Sequence, residues 1–247
     1  MQTATDRAGG AAMPLAISVV IPAHNEEKYL PACLTALSRQ VHAPAHEIIV
    51  VDNASTDSTA AIALTYGARV IHEPRKGVAY ARQAGFEAAR APIIASTDAD
   101  TVVPPFWLAL IGEHFRADPA LGAIYGPVYW PDGNPIEQLM LRYPFVWAQW
   151  LANRIHRDLW WGSNFAVRRD VFCAAGGFPV GWSSGEDNDL SLRVSRIAPV
   201  RFRIALAVNA SSRRSREGWL RLIRRSATDV VRRSVLRRPP GLMPDFR

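Results

Sequence analysis

The chain lacks the long apolar stretches that cross membranes. Of its 247 residues 49% are apolar, yet they form no run of about 18, the length that a membrane-spanning helix requires. The first twelve residues are small and polar and do not show the charged-then-apolar order of a signal peptide. We therefore expect residues 1–15 to form a disordered leader and the protein to be cytoplasmic.

Cysteine is also scarce. The chain has two, Cys33 and Cys173, with no close pairing motif between them. This argues against a disulfide scaffold and against a zinc site, and it is typical of a reducing compartment.

The body of the chain does not carry the net charge of +7. Residues 201–247 hold 13 of the 29 basic residues and 3 of the 22 acidic ones, so residues 1–200 are slightly acidic. An acidic body does not favour a nucleic-acid binder. The basic end can meet anionic lipid, nucleic acid or a phosphorylated substrate, or it can form a solvated arginine-rich helix.

Strand and helix patterns alternate over the first hundred residues. Helices are expected between the strands, and the first helix has Asn25 as its N-cap with Glu26 and Glu27 in its first turn. This alternation predicts an α/β fold with a mostly parallel central sheet flanked by helices. Short apolar runs predict the strands over 16–21, 46–51, 68–71 and 92–98.

The pattern is less regular after Asp100. Helical spacing continues in an aromatic-rich stretch and in a later stretch that begins with acidic residues. Apolar runs predict further strands. Helices are expected over 104–115, 136–159 and 185–197, and strands over 122–130 and 200–208, while residues 160–167 are expected to form a loop that leads into a strand.

Two carboxylates, Asp98 and Asp100, follow the fourth predicted strand. Side chains alternate along an extended strand, so these two can point the same way. Open α/β sheets bind ligands at the C-terminal ends of their strands. Hard oxygen ligands suit Mg²⁺ or Mn²⁺, and Mg²⁺ usually takes one or two carboxylates plus substrate phosphates. The segment therefore predicts a metal-assisted diphosphate site, and the alternative is a capped turn after a strand.

Six short motifs follow one another in a specific order, at 19–27, 51–57, 75–77, 98–100, 162–164 and 185–187. In this order they resemble the inverting family 2 glycosyltransferases, which have the GT-A fold. The resemblance implies a single domain over 16–212, with a Rossmann-like nucleotide-sugar half at 16–100 and an acceptor half at 101–212. It implies transfer of a sugar from a nucleotide diphosphate, with a UDP-sugar as the default donor, to an acceptor hydroxyl.

The resemblance also assigns the donor site. Pro22 lies in the first motif, and His24 and Glu26 are expected beside the base and ribose. Asp52 or Asn53 is expected to read the edge of the base, because an acid or amide oxygen can accept the N–H of a uracil. Lys76, with Arg75, is expected near the donor phosphates, at a predicted helix start where free N–H groups favour anions.

By the same resemblance Asp100 is the direct metal ligand, and Asp98 contacts the ribose or reaches the metal through water. The bound metal, Mg²⁺ or Mn²⁺, neutralises charge on the departing diphosphate. Many relatives add a third ligand, often a histidine, near the end of the domain. This chain has Ser211, Ser212 and two arginines there, so an arginine is a candidate to share the charge.

Asp187 is the expected catalytic base, which removes the acceptor proton during a single inverting displacement. Without the resemblance, the acidic residues around it are an ordinary helix N-terminus. The acceptor and sugar side is expected to include Trp161, Gly162, Ser163, Asn164, Trp182 and Glu186.

The residues after the domain, 213–247, are expected to form a basic amphipathic tail. Such a helix can lie on an anionic membrane or dock on the enzyme. The aromatic stretch at 140–161 is a further candidate to face lipid or an oligomer partner. Polymer-forming relatives carry a Gln-x-x-Arg-Trp motif that is absent here, so we expect transfer of one sugar. The acceptor stays open among a lipid, a carotenoid-like terpenoid, a peptide and a glycan.

Two other functions remain open. A sugar nucleotidyltransferase has a similar fold, but its glycine-rich phosphate loop is absent, and residues 22–25 take its place. A degenerate, non-catalytic glycosyltransferase-like binding module should have lost Asp100 or Asp187, and both are present.

Overall fold

The computed structural model describes residues 14–155, 158, 160–182 and 185–214. The expected leader up to residue 13 and the basic tail beyond Arg214 lie outside the described residues. Among the described helices none is long and apolar enough to cross a membrane.

Ten strands and eight α-helices make up the described chain. The strands are β1 Ile17–Ala23, β2 His46–Asp52, β3 Arg69–His72, β4 Ile93–Ser96, β5 Thr101–Val102, β6 Ala123–Tyr125, β7 Val128–Tyr129, β8 Phe165–Arg168, β9 Val200–Phe202 and β10 Val208–Ala210. The helices are α1 Leu30–Ser38, α2 Thr59–Thr65, α3 Val78–Ala88, α4 Trp107–Ala117, α5 Pro135–Met140, α6 Val146–Arg154, α7 Arg169–Ala174 and α8 Glu186–Val194. A π-helical turn, Leu141–Phe145, joins α5 to α6, and 3-10 turns cover Ile204–Leu206 and Ser212–Arg214.

Seven strands form the central sheet in the order β3-β2-β1-β4-β8-β6-β9. Strands β1 to β4 are parallel, because α1, α2 and α3 each return the chain to the same end of the sheet before the next strand begins. Strand β8 runs antiparallel to both β4 and β6, whereas β6 and β9 are parallel. The mostly parallel α/β sheet predicted from the alternating pattern is thus present.

The apolar residues of the central strands divide between the two faces of the sheet. One face packs against α1 and α4 through residues such as Leu34 and Trp107. The other packs against α3 and α8 through Phe86 and Leu190. Helix α3 lies so close to the sheet that a Cβ on Gly85 would collide with Val20 and Val51.

The start of α1 differs from the prediction. Asn25 is not an N-cap: its φ is +54°, and its side chain accepts a hydrogen bond from the Thr56 N–H at 2.8 Å. Helix α1 begins at Leu30, with no acidic residue in its first turn. Strand β1 also continues through Pro22, because its pairing with β4 ends at Val20 and the missing N–H costs nothing there.

Two predicted single strands are each broken in two. Residues 122–130 divide into β6 and β7, and residues 200–208 divide into β9 and the beginning of β10. Strands β5, β10 and β7 form a separate three-stranded sheet. The break occurs at Gly126, where a Cβ would collide with the backbone of Leu206. This small sheet carries the chain from β10 back to Asp100, whose carbonyl accepts from the Ser211 N–H at 3.1 Å.

Candidate active site

The candidate site is a cleft at the C-terminal ends of β1, β2 and β4. The carboxyl ends of parallel strands meet at one edge, where an open α/β sheet binds its ligands. The residues that line the cleft are Pro22, Ala23, Glu26, Asn53, Val78, Ala81, Asp98, Ala99, Asp100 and Arg213. Five expected donor and metal residues are therefore brought together, and Arg213 joins them from the far end of the described chain.

His24 is buried behind the end of β1. Its Nδ1 donates to the Asn53 carbonyl at 2.6 Å, and its Nε2 faces the Asn25 side-chain amide at 3.3 Å. The ring is thus held on both sides, and it ties β1 to the polar turn after β2.

The polar turn after β2 uses its two candidate side chains differently. Asn53 donates to the carbonyls of Glu73 and Arg75 at 3.0 and 2.7 Å and accepts from the Gly77 N–H at 2.8 Å. Its amide therefore anchors the loop before α3. Asp52 accepts from the Ser55 N–H at 3.1 Å and lies 3.3 Å from the largely exposed His72 ring, so its carboxylate retains free lone pairs.

The loop before α3 places its two cations in different surroundings. Arg75 forms a two-pronged ion pair with the buried Glu73 at 2.8 and 2.9 Å, and its guanidinium lies 4.7 Å from the Tyr80 ring centre. Hydrogen bonds from Arg75 hold the pKa of Glu73 below its usual value. Lys76 is exposed beside Gly77, where α3 begins.

Arg213 bridges two carboxylates of the cleft. Its Nε donates to Asp100 Oδ2 at 2.8 Å, and its Nη2 donates to Glu26 Oε1 at 2.5 Å. The guanidinium also lies 4.5 Å from the Tyr29 ring centre. Burial acts to lower the pKa of Arg213, but the Glu26 hydrogen bond and the Asp100 charge outweigh it and raise that pKa.

Asp132 holds the segment that carries Arg213. Its carboxylate accepts from the Ser212 N–H at 2.8 Å and from the Ser211 hydroxyl at 3.2 Å. The two serines noted in the sequence therefore hold the segment that carries the arginine.

The carboxylates of the cleft fit a divalent metal only in part. In the described part of the chain, no three Asp, Glu, His or Cys side chains come together as a ready metal site. Asp98 and Asp100 nevertheless line one cleft, and Glu26 Oε2 is buried with no hydrogen-bond partner among the described residues. This donor set fits an ion that takes one or two carboxylates and completes its shell with phosphate oxygens.

Arg82 is a site residue that the sequence reading missed. It is 4% exposed, donates from Nη2 to Asp98 Oδ1 at 2.7 Å, and pairs through Nη1 with Glu186. The burial of Arg82 was predictable from the sequence, because residue 82 falls on the apolar face of α3 when its residues are placed at helical spacing. An arginine on that face requires buried anionic partners.

Glu186 lies deep beneath the site rather than at its surface. Burial raises its pKa to about 7, and the nearby Asp187 charge adds to this, whereas the Arg82 charge opposes it. The Arg82 guanidinium therefore joins Asp98, on the donor side, to Glu186 at the start of α8.

Asp187 is half-buried in the first turn of α8. Its Oδ2 accepts from the Gly162 N–H at 2.7 Å, and its Oδ1 accepts from the Asn188 N–H at 2.7 Å. The Gly162 carbonyl accepts from the Ser96 hydroxyl at 2.6 Å. A Cβ on Gly162 would collide with the Arg82 guanidinium, so only glycine fits between Asp187 and the ion pairs.

The remaining residues of the expected acceptor side are not all at a surface. Asn164 is 1% exposed, and its amide donates to the carbonyls of Pro127 and Leu206 and accepts from the Trp107 indole. Through these bonds the side chain fastens the small sheet to the core. Ser163 is buried as well.

The two tryptophans expected near the acceptor are partly exposed. Trp161 contacts Trp130 and Phe145, with ring centres 5.8 and 5.1 Å apart. Trp182 is half-buried in the turn before α8. Trp160, from the stretch expected to face lipid, is instead fully buried and stacked on Phe165.

Comparisons with known proteins match the chain to a family model and to curated relatives. The family model described as "Glycosyl transferase family 2" matches residues 18–175. An uncharacterized glycosyltransferase of Mycobacterium tuberculosis is 48% identical over 85 residues, which are 34% of this chain and 37% of the relative. This match thus spans little more than a third of the length of that curated relative.

Two solved structures show the same GT-A fold. A mannosyltransferase of Pyrobaculum calidifontis, in complex with GDP-Man and Mn²⁺, superimposes with a TM-score of 0.72 at 22% identity over 92% of this chain and 65% of that one. Glucosyl-3-phosphoglycerate synthase of Mycobacterium tuberculosis, with Mn²⁺ and UDP, gives a TM-score of 0.63 at 20% identity over 94% and 82%.

Proposed function

Because the chain belongs to glycosyl transferase family 2, we propose that it moves one sugar from a UDP-sugar to an acceptor hydroxyl, with metal assistance and inversion. One observation carries this proposal above the others. Arg82 joins Asp98, on the donor cleft, to Glu186, the neighbour of the candidate base Asp187. A donor bound against Asp98 and an acceptor deprotonated by Asp187 would therefore meet across one buried ion pair.

The proposed donor site is supported by the side chains at the end of β2 and before α3. Of the two residues considered for the base edge, Asp52 has lone pairs to accept a uracil N–H, whereas Asn53 is engaged with the loop before α3. Lys76 is the exposed cation beside the N-terminus of α3, where anions are favoured. Its charge is available to a diphosphate, while the charge of Arg75 is paired with Glu73.

A divalent ion fits the part of this cleft around Asp100. Asp100 would hold it, with Asp98 direct or through water, and the bound ion would neutralise charge on the departing diphosphate. Both solved relatives described above contain Mn²⁺. Arg213 lies on Asp100 and supplies a second, permanent positive charge at the same place.

Asp187 is proposed as the base because its geometry is fixed before the acceptor arrives. The Gly162 N–H holds Oδ2, so the carboxylate does not rotate freely. A preset carboxylate can take the hydroxyl proton as that oxygen attacks the anomeric carbon. A single displacement with one base inverts the configuration at that carbon.

Thermal unfolding with a panel of nucleotides tests the donor half. A ligand that binds only the folded state raises the apparent stability by mass action. We expect UDP and one UDP-sugar to raise the melting temperature, more so with Mn²⁺, and Asp100→Asn to remove the extra effect of the metal. Arg201→Gln, an exposed arginine of β9, is the matched control. Absence of a shift with every nucleotide would favour the non-catalytic binding module.

A further inference from the structure

The helical stretch α5, the π turn and α6 exposes a continuous apolar stripe. Its members recur every three or four residues, as the residues on one side of a helix do. We call them the exposed stripe: Ile136, Leu139, Met140, Tyr143, Trp147, Trp150, Leu151 and Ile155. Trp147 is 63% exposed and Trp150 is 43% exposed. Tryptophan is costly to leave in water at this level, so a contiguous row of such residues indicates an interaction surface.

The exposed stripe is not the side by which these helices join the core. That side consists of Leu141, Val146 and Gln149, which are buried, with Phe145 packed on Trp161. The core contact is therefore complete, and the stripe faces away from it. Another partner must remove it from water.

The chemistry around the stripe favours an anionic lipid surface. Residues 138–155 contain no Asp or Glu, while Arg142 and Arg154 are both exposed. The Arg154 guanidinium lies 5.0 Å from the Trp150 ring centre. Tryptophan and tyrosine with flanking arginines are the residues that settle at the boundary between headgroups and acyl chains.

The basic end of the chain leaves the described structure next to this stripe. Ser211 and Ser212 bond to Asp132, three residues before α5 begins. Residues 214–247 then contain ten arginines against three acids. Each basic residue near an anionic bilayer adds attraction, so the composition of the tail favours the same kind of partner as the stripe does.

We propose that the exposed stripe inserts into the headgroup region of an anionic lipid bilayer. Binding of the exposed stripe to a bilayer does not depend on the proposed function. If that function holds, the bilayer lies on the acceptor side of the site, because Phe145 of the same helical stretch contacts Trp161, the neighbour of Gly162. An acceptor presented at a membrane surface would then reach Asp187 from that side.

Quenching of tryptophan fluorescence by brominated lipids tests the proposal on the full chain. Vesicles of phosphatidylglycerol and phosphatidylcholine, with bromine on the acyl chains, are compared with vesicles of phosphatidylcholine alone. We expect quenching with the anionic vesicles, most of it lost in the double variant Trp147→Phe and Trp150→Phe. Trp219→Phe, in the basic tail, is the matched variant and should retain most of the quenching.

Cosedimentation gives the second readout. Replacing Trp147 and Trp150 by alanine should weaken vesicle binding about tenfold, while Leu64→Ala, an equally exposed apolar residue of α2, should not. Three results would overturn the proposal. The first is quenching that is lost only in Trp219→Phe, which would mean that the tail alone inserts. The second is vesicle binding that the alanine variant of the stripe leaves unchanged. The third is a chain that does not bind vesicles and forms dimers through the stripe.

Discussion

The Nε of Arg213 lies 2.8 Å from Oδ2 of Asp100, the carboxylate that the family resemblance assigns to the metal. A cation of the protein thus already occupies the oxygen that a metal would use. A metal entering with the donor must share Asp100 with this guanidinium or displace it. If a metal binds as proposed, this ion pair should lower the affinity of the nucleotide-free cleft for it.

Replacing Arg213 should change metal binding in the absence of any nucleotide. In Arg213→Ala the charge of Asp100 is no longer neutralised by its neighbour, so Mn²⁺ should bind more tightly, on the order of tenfold. Titration of free Mn²⁺ by electron paramagnetic resonance measures this directly. Binding of UDP with Mn²⁺ should weaken in the same variant, since one positive charge beside the diphosphate is lost.

The control for this prediction is Arg75→Ala, which removes a cation of the cleft region that pairs with Glu73 and not with Asp100. Its affinity for Mn²⁺ should stay near that of the parent protein. Equal effects of the two substitutions would show that general charge, and not the Arg213 contact, controls metal binding.

Removing Arg82 should destabilise the protein strongly. Arg82→Met leaves Asp98 and the buried Glu186 without their shared partner, and breaking a buried ion pair in this way costs about 3–5 kcal/mol of unfolding free energy. Urea unfolding measures the loss. Arg201→Met removes an exposed arginine paired with Asp118 and should cost less than about 1 kcal/mol.

A double substitution tests whether the unpaired Glu186 carboxylate is what destabilises Arg82→Met. If the unpaired acid is responsible, Glu186→Gln in the Arg82→Met background should recover part of the lost stability. A double variant that loses more unfolding free energy than the two single variants lose together would contradict this explanation.

Glu186 should make the stability of the fold depend on pH. Burial raises its pKa in the folded state to about 7, against an unfolded value of about 4.3. The folded protein therefore holds this proton more tightly than the unfolded chain does. Its stabilising contribution is present below the unfolded pKa and is lost as the pH rises through about 7.

Urea unfolding midpoints measured between pH 5 and pH 8 test this dependence of stability on pH. Glu186→Gln, which cannot release a proton, should flatten the decline in unfolding free energy over this interval. Parallel pH curves for the two proteins would mean that Glu186 does not titrate there.

The donor half was predictable because its elements are determined locally. Leu30, Cys33, Leu34 and Leu37 follow helical spacing and are all buried, and the apolar run at 93–96 is a buried central strand. The predicted cap at Asn25 failed because its side chain bonds to Thr56, thirty-one residues away. Such a contact has no signature within one local window.

The acceptor half depended more on distant contacts. Strand β10 forms only by pairing with β5 and β7, and neither pairing can be read from spacing. The same pairing brings Arg213 to Asp100, so the sequence could name an arginine as a candidate without deciding which one. Asn164 was assigned to the acceptor side by its motif, whereas its bonds to the distant Pro127 and Leu206 carbonyls could not be predicted from the sequence.

Substitution of Asp187 by asparagine is the most direct test of the central claim. Asparagine keeps an oxygen for the Gly162 N–H but cannot take a proton, so the site should survive while its chemistry stops. The measurement compares donor binding, by calorimetry, with release of nucleoside diphosphate from the donor in the presence of a membrane and glycan extract. We predict unchanged donor affinity and release slower by about 10²–10⁴-fold. An Asp187→Asn protein that binds donor and turns it over at the parent rate would contradict the assignment of Asp187 as the base.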